Sequence, residues 1–381
     1  MQTTDVVIIG AGMAGASAAY FLAQQQRVTL LERETQPGYH ATGRSAAMYI
    51  ETYGNATVRA ITTASKAFYL QPPAGFSDYP LLTPRGALMV GTAADRDALR
   101  ATWQEMQALL PNVQWWTQAH ILQRVPLIRP EFADCGIFEP DAMDMDVNAI
   151  HQGFLRGARA AGTQLVCDAG VTQIRREPAG WHVSTPAGDF FAPVLVNAAG
   201  AWCDELALLA GVAPIGLRPK RRTAFTVDAP PGCDISDWPL VIDAGEGYYF
   251  KPDAGALLMS PANEDPVAAQ DVQPEEIDVA MAVDRIQTAT TLQIRKIKRQ
   301  WAGLRSFVAD KTPVAGFAAD APGFFWLAGQ GGYGIQTAPA MGALVAALVQ
   351  GTPLPATMTA CHALLHDLSP HRLLAADTPP A

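Results

Sequence analysis

The sequence lacks an apolar run long enough to cross a bilayer, and charged residues are few. Its longest apolar stretch, Ala338 to Val349, spans about a dozen residues, whereas a membrane-spanning helix needs ~20, so it predicts a buried helix. Charged residues make up 17% of the chain and hydrophobic residues 49%, which is typical of a folded globular protein. The first residues lack the basic segment and small-residue cleavage site of a signal peptide, so we expect no secretion.

Cysteine and positive charge are also scarce. The five cysteines are scattered without a C-x-x-C pair, so we expect reduced thiols and a cytoplasmic location. Lys+Arg number 27 against 36 Asp+Glu, and the net charge of -9 makes nucleic acid an unsuitable partner. The basic run at 295–299 (RKIKR) predicts a solvated face, with weak peripheral contact with the anionic inner membrane kept as an alternative.

Glycines are concentrated at the first predicted turn. A buried-strand pattern at 5–9 runs into Gly10, Gly12 and Gly15, and an alanine-rich helix is expected at 13–25. The first glycine permits a tight turn, the second lets the backbone approach a pyrophosphate, and the third allows close helix–strand packing. This strand–turn–helix order predicts a dinucleotide-binding unit.

Four further features indicate which dinucleotide binds. The next strand ends in Glu32, which can accept hydrogen bonds from ribose hydroxyls and disfavours the 2′-phosphate of NADP. The segments HATGRSAA at 40–47 and VNAAGAWCDELA at 196–207 follow strands with small residues and free amides. GGYGIQT at 331–337 is expected to open a second helix, whose N-terminal amides would stabilise the negative edge of a reduced flavin. Together these features favour FAD over NAD.

Over nearly its whole length the chain resembles the flavin-dependent D-amino-acid oxidase and dehydrogenase superfamily, which includes glycine and sarcosine oxidases. Within it, the chain is most similar to bacterial D-amino-acid dehydrogenases of the D-arginine dehydrogenase type. The motifs that carry the resemblance are GYHATGRSAA, PKRR, YYFKPDAG, WAGLRSFVAD and GQGGYGIQT. It implies non-covalent FAD and hydride transfer from the substrate Cα to flavin N5. The imino acid formed would hydrolyse to a 2-oxo acid and ammonia.

The resemblance also implies a set of catalytic residues. Arg305 would hold the substrate carboxylate bidentately, assisted by Tyr249 and Arg222, because a planar guanidinium matches a carboxylate. Tyr53 would act as a lid, and Gln336 would face the substrate amine or the flavin. The alternatives are a structural ion pair for Arg305, a solvated charge for Arg222, a loop tyrosine for Tyr53 and a helix-cap contact for Gln336.

The predicted cofactor-binding residues lie in six short segments of the sequence. They are Gly10, Gly12, Ala14, Gly15, Glu32, Arg33, Ala41, Thr42, Gly43, Arg44, Ser45, Ala46, Ala47, Met48, Val171, Ala199, Gly200, Gly331, Gly332, Tyr333, Gly334, Ile335, Gln336 and Thr337. No cysteine or histidine lies in 331–337, where relatives with covalent flavin carry a cysteine, so we expect dissociable FAD.

Two positions in the expected side-chain pocket depart from the D-arginine type. Met48 stands where that type has a histidine, and Ala87 stands where it has a glutamate able to pair with a guanidinium. Glu51 or Glu246 could restore the lost acidity. Met48 also cannot titrate, so we expect the substrate amine to lose its proton to water or to a tyrosine-linked network.

Two clusters contain residue types that can bind metal ions, but a structural role explains each of them. Asp141, Asp144 and Asp146 are expected to form a turn and a helix N-cap. The second cluster, Cys361, His362 and His366, lacks a fourth zinc ligand, so we expect no metal.

The fold class expected is α/β, with a Rossmann-like FAD-binding domain and a second α+β substrate domain built on a mixed sheet. The FAD-binding domain would be discontinuous and would comprise residues 1–80, 139–210 and 309–375. The substrate domain would comprise residues 81–138 and 211–308, and residues 376–381 would form a flexible tail.

The function expected is oxidative deamination of a D-amino acid with a neutral or apolar side chain. One alternative is an oxidase or dehydrogenase of glycine, sarcosine or another secondary amine. The carboxylate clamp formed by Arg305, Arg222 and Tyr249 would serve all of these substrates. Another is a non-catalytic flavin-binding or redox-sensing module. The electron acceptor, whether oxygen, a quinone or another carrier, is left open.

The loss of polar groups at Met48 and Ala87 predicts that D-arginine is a poorer substrate than D-methionine or D-phenylalanine. Desolvating a guanidinium without a partner is costly. Steady-state kcat/KM values for the three compounds test this, and a clear preference for D-arginine would contradict it.

Overall fold

The computed structural model describes residues 1–355, 358 and 364–374, and within them it contains four β-sheets. The predicted tail, Cys361 and His362 lie outside the described residues. The strands are β1 Gln2–Thr3, β2 Val6–Ile9, β3 Val28–Leu31, β4 Met48–Tyr49, β5 Leu82–Pro84, β6 Ala87–Gly91, β7 Gln114–Thr117, β8 Cys135–Glu139, β9 Met143–Met145, β10 Gln164–Val166, β11 Gln173–Glu177, β12 Gly180–Thr185, β13 Gly188–Ala192, β14 Val194–Asn197, β15 Arg218–Asp228, β16 Leu240–Asp243, β17 Tyr249–Asp253, β18 Ala256–Ser260, β19 Asp265–Pro266, β20 Arg299–Phe307, β21 Val314–Phe317 and β22 Phe324–Ala328. The helices are α1 Met13–Leu22, α2 Ala56–Leu70, α3 Arg96–Leu109, α4 Gln118–Arg124, α5 Val147–Ala160, α6 Cys203–Leu209, α7 Glu276–Ala289, α8 Ala338–Gln350, α9 Leu365–Leu368 and α10 His371–Leu374.

The first of these sheets has six strands in the order β10-β3-β2-β14-β22-β21. All its pairs are parallel except β21 with β22. Ile9 pairs with Leu31 and with Asn197, so the carboxyl ends of the inner strands are level. Ligands of doubly wound sheets bind beyond this edge, and the chain emerges there at Gly10 and Glu32. The expected Rossmann-like unit is confirmed.

Helices α1, α5 and α8 pack together on one face of this sheet. The packing depends on glycine, because a Cβ on Gly342 of α8 would lie 2.8 Å from the Ser17 backbone and one on Gly157 of α5 would lie 2.2 Å from the Tyr20 ring. The apolar run predicted as a buried helix is α8. None of the helices in the described part of the chain is long and apolar enough to cross a membrane.

A nine-stranded sheet carries the other half of the molecule. Its order is β19-β15-β18-β17-β16-β6-β8-β7, with β20 paired to β15. Because β16 and β6 are parallel and their neighbours antiparallel, the sheet is mixed, as expected. It joins strands from both segments of the predicted substrate domain, while the domain boundaries themselves stay a prediction. The smaller sheets are β1-β13-β12-β11 and β4-β9-β5.

One local prediction from the sequence is wrong. The sequence LLTPRGALMVG at 81–91 predicts a hairpin, but its two strands, β5 and β6, join different sheets. Strand β5 pairs with β9, and β6 pairs with β8 and β16. Gly86, with φ of 78°, turns the chain from one sheet to the other. The pairing partners come from distant parts of the chain, which a local pattern cannot reveal.

His151 on α5 lies directly beneath the first glycine turn. It is 4% exposed, and its Nε2 lies 2.8 Å from the carbonyl oxygen of Ala11. The adjacent Gly38 leaves no room for a side chain, since a Cβ there would lie 2.8 Å from the imidazole. Burial lowers the pKa of His151, and its contact with the Ala11 carbonyl offsets this only in part.

Acidification is therefore expected to destabilise the protein through His151. A pKa that is lower in the folded than in the unfolded state means that the unfolded chain binds the proton more readily. The contribution of neutral His151 to the free energy of unfolding is therefore fully present above the unfolded pKa of ~6.5, and it is lost as the pH falls below that value. Thermal unfolding midpoints of the wild type and His151→Gln, each with excess FAD, should diverge between about pH 7.5 and 5.5, the wild type losing more. Parallel curves would contradict the prediction.

Candidate functional site

A cavity of about 760 Å³ extends from the carboxyl edge of the six-stranded sheet to the face of the nine-stranded sheet. At one end it is lined by the first glycine turn and Glu32, and at the other by Arg222, Tyr249 and Arg305. Residues predicted for the cofactor and for the substrate carboxylate therefore share one cavity, although they come from distant parts of the chain.

The glycine turn allows a ligand to approach its backbone closely. Gly10 has φ of 100°, and a Cβ there would lie 2.5 Å from the carbonyl oxygen of Ala198. At Gly15 a Cβ would lie 1.8 Å from the carbonyl oxygen of Gly10, so the helix could not start at this point with a larger residue. Gly12 borders the cavity and is the N-cap residue of α1. The sequence-based roles of the three glycines agree with this geometry.

Glu32 is buried beside this turn. Its Oε2 accepts a hydrogen bond from the Ala11 N–H at 3.0 Å, and its Oε1 accepts one from the Glu34 N–H at 3.0 Å. These donors hold the carboxylate in the cavity wall with oxygen lone pairs to spare. Nearby, the Arg33 guanidinium lies 4.4 Å from the centre of the Trp202 ring.

The loop at 38–47 closes over the turn. Thr42 Oγ1 accepts a hydrogen bond from the Met13 N–H at 3.0 Å, which ties the loop to the start of α1. Gly43 is required by the loop itself, since a Cβ there would lie 2.6 Å from the carbonyl oxygen of Gly38. Arg44 borders the cavity, and its guanidinium donates to Asp271 at 2.5 Å and to the Ala302 carbonyl at 3.1 Å. It joins the loop to the nine-stranded sheet.

The segment at 329–337 forms a series of turns, and α8 begins only at Ala338. Gln336 does not face the cavity: its Oε1 accepts from the Ile50 N–H at 3.2 Å and its Nε2 donates to Thr62 Oγ1 at 2.8 Å. The expectation that it faces substrate or flavin is therefore wrong, because both polar atoms of its buried amide hold the segment that precedes Tyr53. Gln330, which was not predicted as a site residue, borders the cavity with a buried Nε2 that has no hydrogen-bond partner among the described residues.

The substrate end is built on one face of the nine-stranded sheet. Arg222 pairs with Gly303 across β15 and β20, and Arg305 lies two residues further along β20, so both guanidiniums project from the same face. Tyr249 starts β17 on that side of the cavity. Arg305 Nη1 donates to the Tyr53 hydroxyl at 3.3 Å. The strands thus bring together Arg222, Tyr249 and Arg305, and the loop before α2 adds Tyr53.

Positive charge at this end is only partly balanced. Within the described residues Arg305 forms no salt bridge, while Arg222 Nε donates to the Asn263 carbonyl at 2.7 Å and its Nη2 lies 3.4 Å from Glu264. Burial lowers the pKa of Arg222, and the neighbouring Arg305 lowers it further. Burial raises the pKa of the Tyr249 phenol, but Arg305 and Arg222 outweigh it, so this pKa lies below its ordinary value. The arrangement favours an anion between the two guanidiniums.

Met48 and Ala87 lie together in an apolar cluster that packs against Tyr249 and includes Ala142 and Leu240. Neither borders the main cavity. A substrate side chain that reached past Tyr249 would therefore meet apolar surface.

The two acidic residues proposed to replace the lost charge do not reach the cavity. Glu51 is buried and forms an ion pair with Lys66, with a further hydrogen bond from Thr63 Oγ1 at 3.2 Å. Glu246 is exposed in the turn between β16 and β17, with φ of 54°. Neither lines the cavity, so neither replaces there the acidity lost at position 87.

Of the predicted cofactor residues, most border the cavity and the others support its wall. Bordering it are Gly10, Gly12, Ala14, Glu32, Arg33, Ala41, Thr42, Arg44, Ser45, Ala46, Val171, Ala199, Gly200, Gly331, Gly332, Gly334 and Ile335. Outside its lining are Gly15, Gly43, Ala47, Met48, Tyr333, Gln336 and Thr337.

The predicted aspartate cluster has structural partners. Asp146 caps α5 by accepting from the Ala149 N–H at 2.8 Å, so the predicted N-cap is confirmed. Asp144 contacts both Arg85 and Lys251 at 2.6 Å. Among the described residues no group of three or more His, Cys, Asp or Glu is placed to hold a metal ion.

The cavity fits FAD on two observations that do not depend on motif spacing. Gly10 and Gly12 border the cavity with no side chain beyond their backbone, and the buried Gln330 Nε2 at the opposite end has no hydrogen-bond partner among the described residues and needs an acceptor. Glu32 would hold the ribose, the turn amides the pyrophosphate, and the Gly331–Gly334 region the flavin edge.

Replacing Glu32 by alanine should weaken FAD binding. Loss of a charged acceptor of ribose hydrogen bonds is expected to raise the dissociation constant by about tenfold or more. Titration of apoprotein with FAD, followed by flavin fluorescence, measures this. Glu34→Ala is the matched control, because Glu34 does not border the cavity; equal losses in both variants would contradict the assignment.

Comparison with known proteins places the chain in a family. Residues 5–348 match the family model described as FAD dependent oxidoreductase. Glycine oxidase of Geobacillus kaustophilus is 24% identical over 360 residues, covering 91% of this chain and 93% of that protein. Its crystal structure superimposes with a TM-score of 0.81 at 23% identity, covering 94% of this chain and 98% of the other. Dithionite-reduced L-α-glycerophosphate oxidase from Mycoplasma pneumoniae, with FAD bound, gives 0.82 at 21% identity, covering 92% and 95%.

These findings confirm the superfamily resemblance and the fold, whereas the finer likeness to D-arginine dehydrogenases stays a prediction. The family match covers both ends of the cavity, from the glycine turn to α8. The chain belongs to the FAD dependent oxidoreductase family, and its cofactor is FAD.

Proposed function

We propose that the protein oxidises glycine or an N-alkylglycine such as sarcosine at the bond between Cα and the amine nitrogen. The observation that carries the proposal is the pair of guanidiniums, Arg222 and Arg305, at the cavity end opposite the nucleotide turn. The similarity to glycine oxidase supports a small amino acid as the substrate.

The clamp would fix the substrate through its carboxylate. Arg305 has the Tyr53 hydroxyl as its hydrogen-bond partner, so its remaining N–H groups can reach a planar acceptor. Arg222 is held from behind by the Asn263 carbonyl and Glu264, which fixes the direction of its side chain. The Tyr249 hydroxyl, beside both guanidiniums, would complete the clamp.

FAD, when bound, supplies the acceptor for the hydride that leaves the substrate Cα. The residues of this chain orient that Cα, because a carboxylate held at two points leaves the rest of the substrate little freedom. The amine must be neutral so that its lone pair assists the hydride's departure, and Met48 cannot take its proton. Water would accept it, either directly or through a hydrogen-bonded network in which Tyr53 and Tyr249 relay the proton to water. The imino product would then hydrolyse.

A second candidate substrate is a D-amino acid with a neutral or apolar side chain. It is favoured by the apolar cluster of Met48, Ala87, Ala142 and Leu240 that packs against Tyr249. Such a surface offers nothing to a cationic side chain, while an apolar one could be buried against it. Glycine and N-alkylglycines would leave this surface unused.

Anaerobic mixing of the yellow protein with a panel of amines tests both candidates. We expect glycine or sarcosine to bleach the flavin absorbance fastest, followed by small neutral D-amino acids, with D-arginine and L-amino acids slow. Fastest bleaching by a D-amino acid would favour the second candidate. No bleaching by any amine would support a non-catalytic flavin-binding module. Repeating the reaction in air while measuring peroxide distinguishes an oxidase from a dehydrogenase.

The matched variants for this panel are Arg305→Lys and Arg299→Lys, which lie on the same strand. Lysine keeps the charge of Arg305 but not its planar fork, so kcat/KM for the best amine should fall by about 100-fold. Arg299 is exposed at the other end of β20 and should tolerate lysine. Equal activity of wild type and Arg305→Lys would contradict the proposal that Arg305 holds the substrate carboxylate.

A further inference from the structure

Residues 50–54 carry Tyr53 to the carboxylate clamp and are held from two sides. From the nucleotide side, the Gln336 amide accepts from the Ile50 N–H and is itself fixed by Thr62. From the side of the nine-stranded sheet, a single buried carboxylate, Glu139, makes the contact.

Glu139 ends β8 and is 2% exposed. It accepts a hydrogen bond from the Glu51 N–H at 3.1 Å and another from Thr52 Oγ1 at 2.5 Å. Burial raises the pKa of Glu139, and these two donors oppose the rise. A buried carboxyl with so few partners is costly to keep. Its two partners, Glu51 and Thr52, lie immediately before Tyr53 in the sequence. This indicates that Glu139 helps to fix the segment that carries Tyr53.

Tyr53 itself has weaker attachments than its neighbours. Its ring is 37% exposed, it packs edge-on against Tyr333 with the ring centres 5.0 Å apart, and its N–H lies 3.4 Å from the Ile50 carbonyl. Its hydroxyl accepts from Arg305 at 3.3 Å. The place of this hydroxyl therefore depends on how residues 51 and 52 are fixed.

We propose that Glu139 is a positioning residue that sets the Tyr53 hydroxyl against Arg305 by holding the backbone of Glu51 and the side chain of Thr52. Its kinetic consequences rest on the proposed function, since they require a substrate carboxylate in the clamp. The charge of Glu139 is not needed for this role. A glutamine could accept from the Glu51 N–H through Oε1 and donate to Thr52 Oγ1 through Nε2.

A double-mutant cycle between Glu139→Ala and Tyr53→Phe tests the proposal with the amine that the protein oxidises best. In the presence of Tyr53, Glu139→Ala should lower kcat/KM by about tenfold, mainly through KM, because a misplaced hydroxyl weakens carboxylate binding. In the Tyr53→Phe background the same change should cost less than about twofold. Glu139→Gln should restore near-normal values. Equal losses in both backgrounds, or a Glu139→Gln protein as impaired as Glu139→Ala, would overturn the proposal.

Thr52→Val is the milder variant if Glu139→Ala does not fold, because it removes one donor at nearly constant volume. It should show the same dependence on Tyr53, to a smaller extent. Glu105→Ala on α3, an exposed glutamate, is the control and should leave KM unchanged.

Hydrogen exchange of the FAD-loaded protein separates failure of this inference from failure of the proposed function. Peptides that cover residues 50–54 should exchange faster in Glu139→Ala than in wild type, and at the wild-type rate in Glu139→Gln. This result needs no substrate, so it holds even if no amine is oxidised. Unchanged exchange in Glu139→Ala would overturn the positioning role whatever the protein oxidises.

Discussion

The site depends on two guanidiniums held close together on one sheet face. Arg222 and Arg305 repel each other, and burial removes the water that would screen them. The chain offsets this with the Asn263 carbonyl, Glu264 and the hydroxyls of Tyr249 and Tyr53, but it places no carboxylate against Arg305 in the described residues. Glu264 is itself shared with Lys220 at 2.8 Å and Lys311 at 3.6 Å. A carboxylate bound between the two guanidiniums, as we propose for the substrate, would therefore improve the charge balance of the folded protein.

The opposite end of the cavity is governed by close backbone approach. The level carboxyl ends of β2, β3 and β14 bring Gly10, Glu32 and Ala198 to one edge. Because Gly10 contacts Ala198 and Gly15 contacts Gly10, the turn has one compact arrangement, with its amides beside the cavity. A flavin dinucleotide bound at this edge would share one continuous cavity with the guanidiniums, since residues at both ends line it.

Much of this could be predicted from local sequence because local geometry determines it. The glycine turn, Glu32 and the cap at Asp146 depend on neighbouring residues, and they agree with the structure. The hairpin expected at 81–91 failed because its strand partners lie far away in the chain. Gln336 failed for a related reason: its side chain is used by a remote segment, which a motif does not specify. Glu139 carried no motif signal, since its partners are a backbone N–H and a threonine.

Charge also constrains which side chain the site can accept. The acids nearest the predicted side-chain pocket already have partners: Glu51 pairs with Lys66, Asp144 with Arg85 and Lys251, and Glu139 with donors of the segment before Tyr53. A cationic side chain entering there would have to displace one of these contacts or remain unpaired on apolar surface. A small or neutral side chain has no such cost. The selectivity we propose therefore follows as much from how these acids are occupied as from the methionine and alanine that border them.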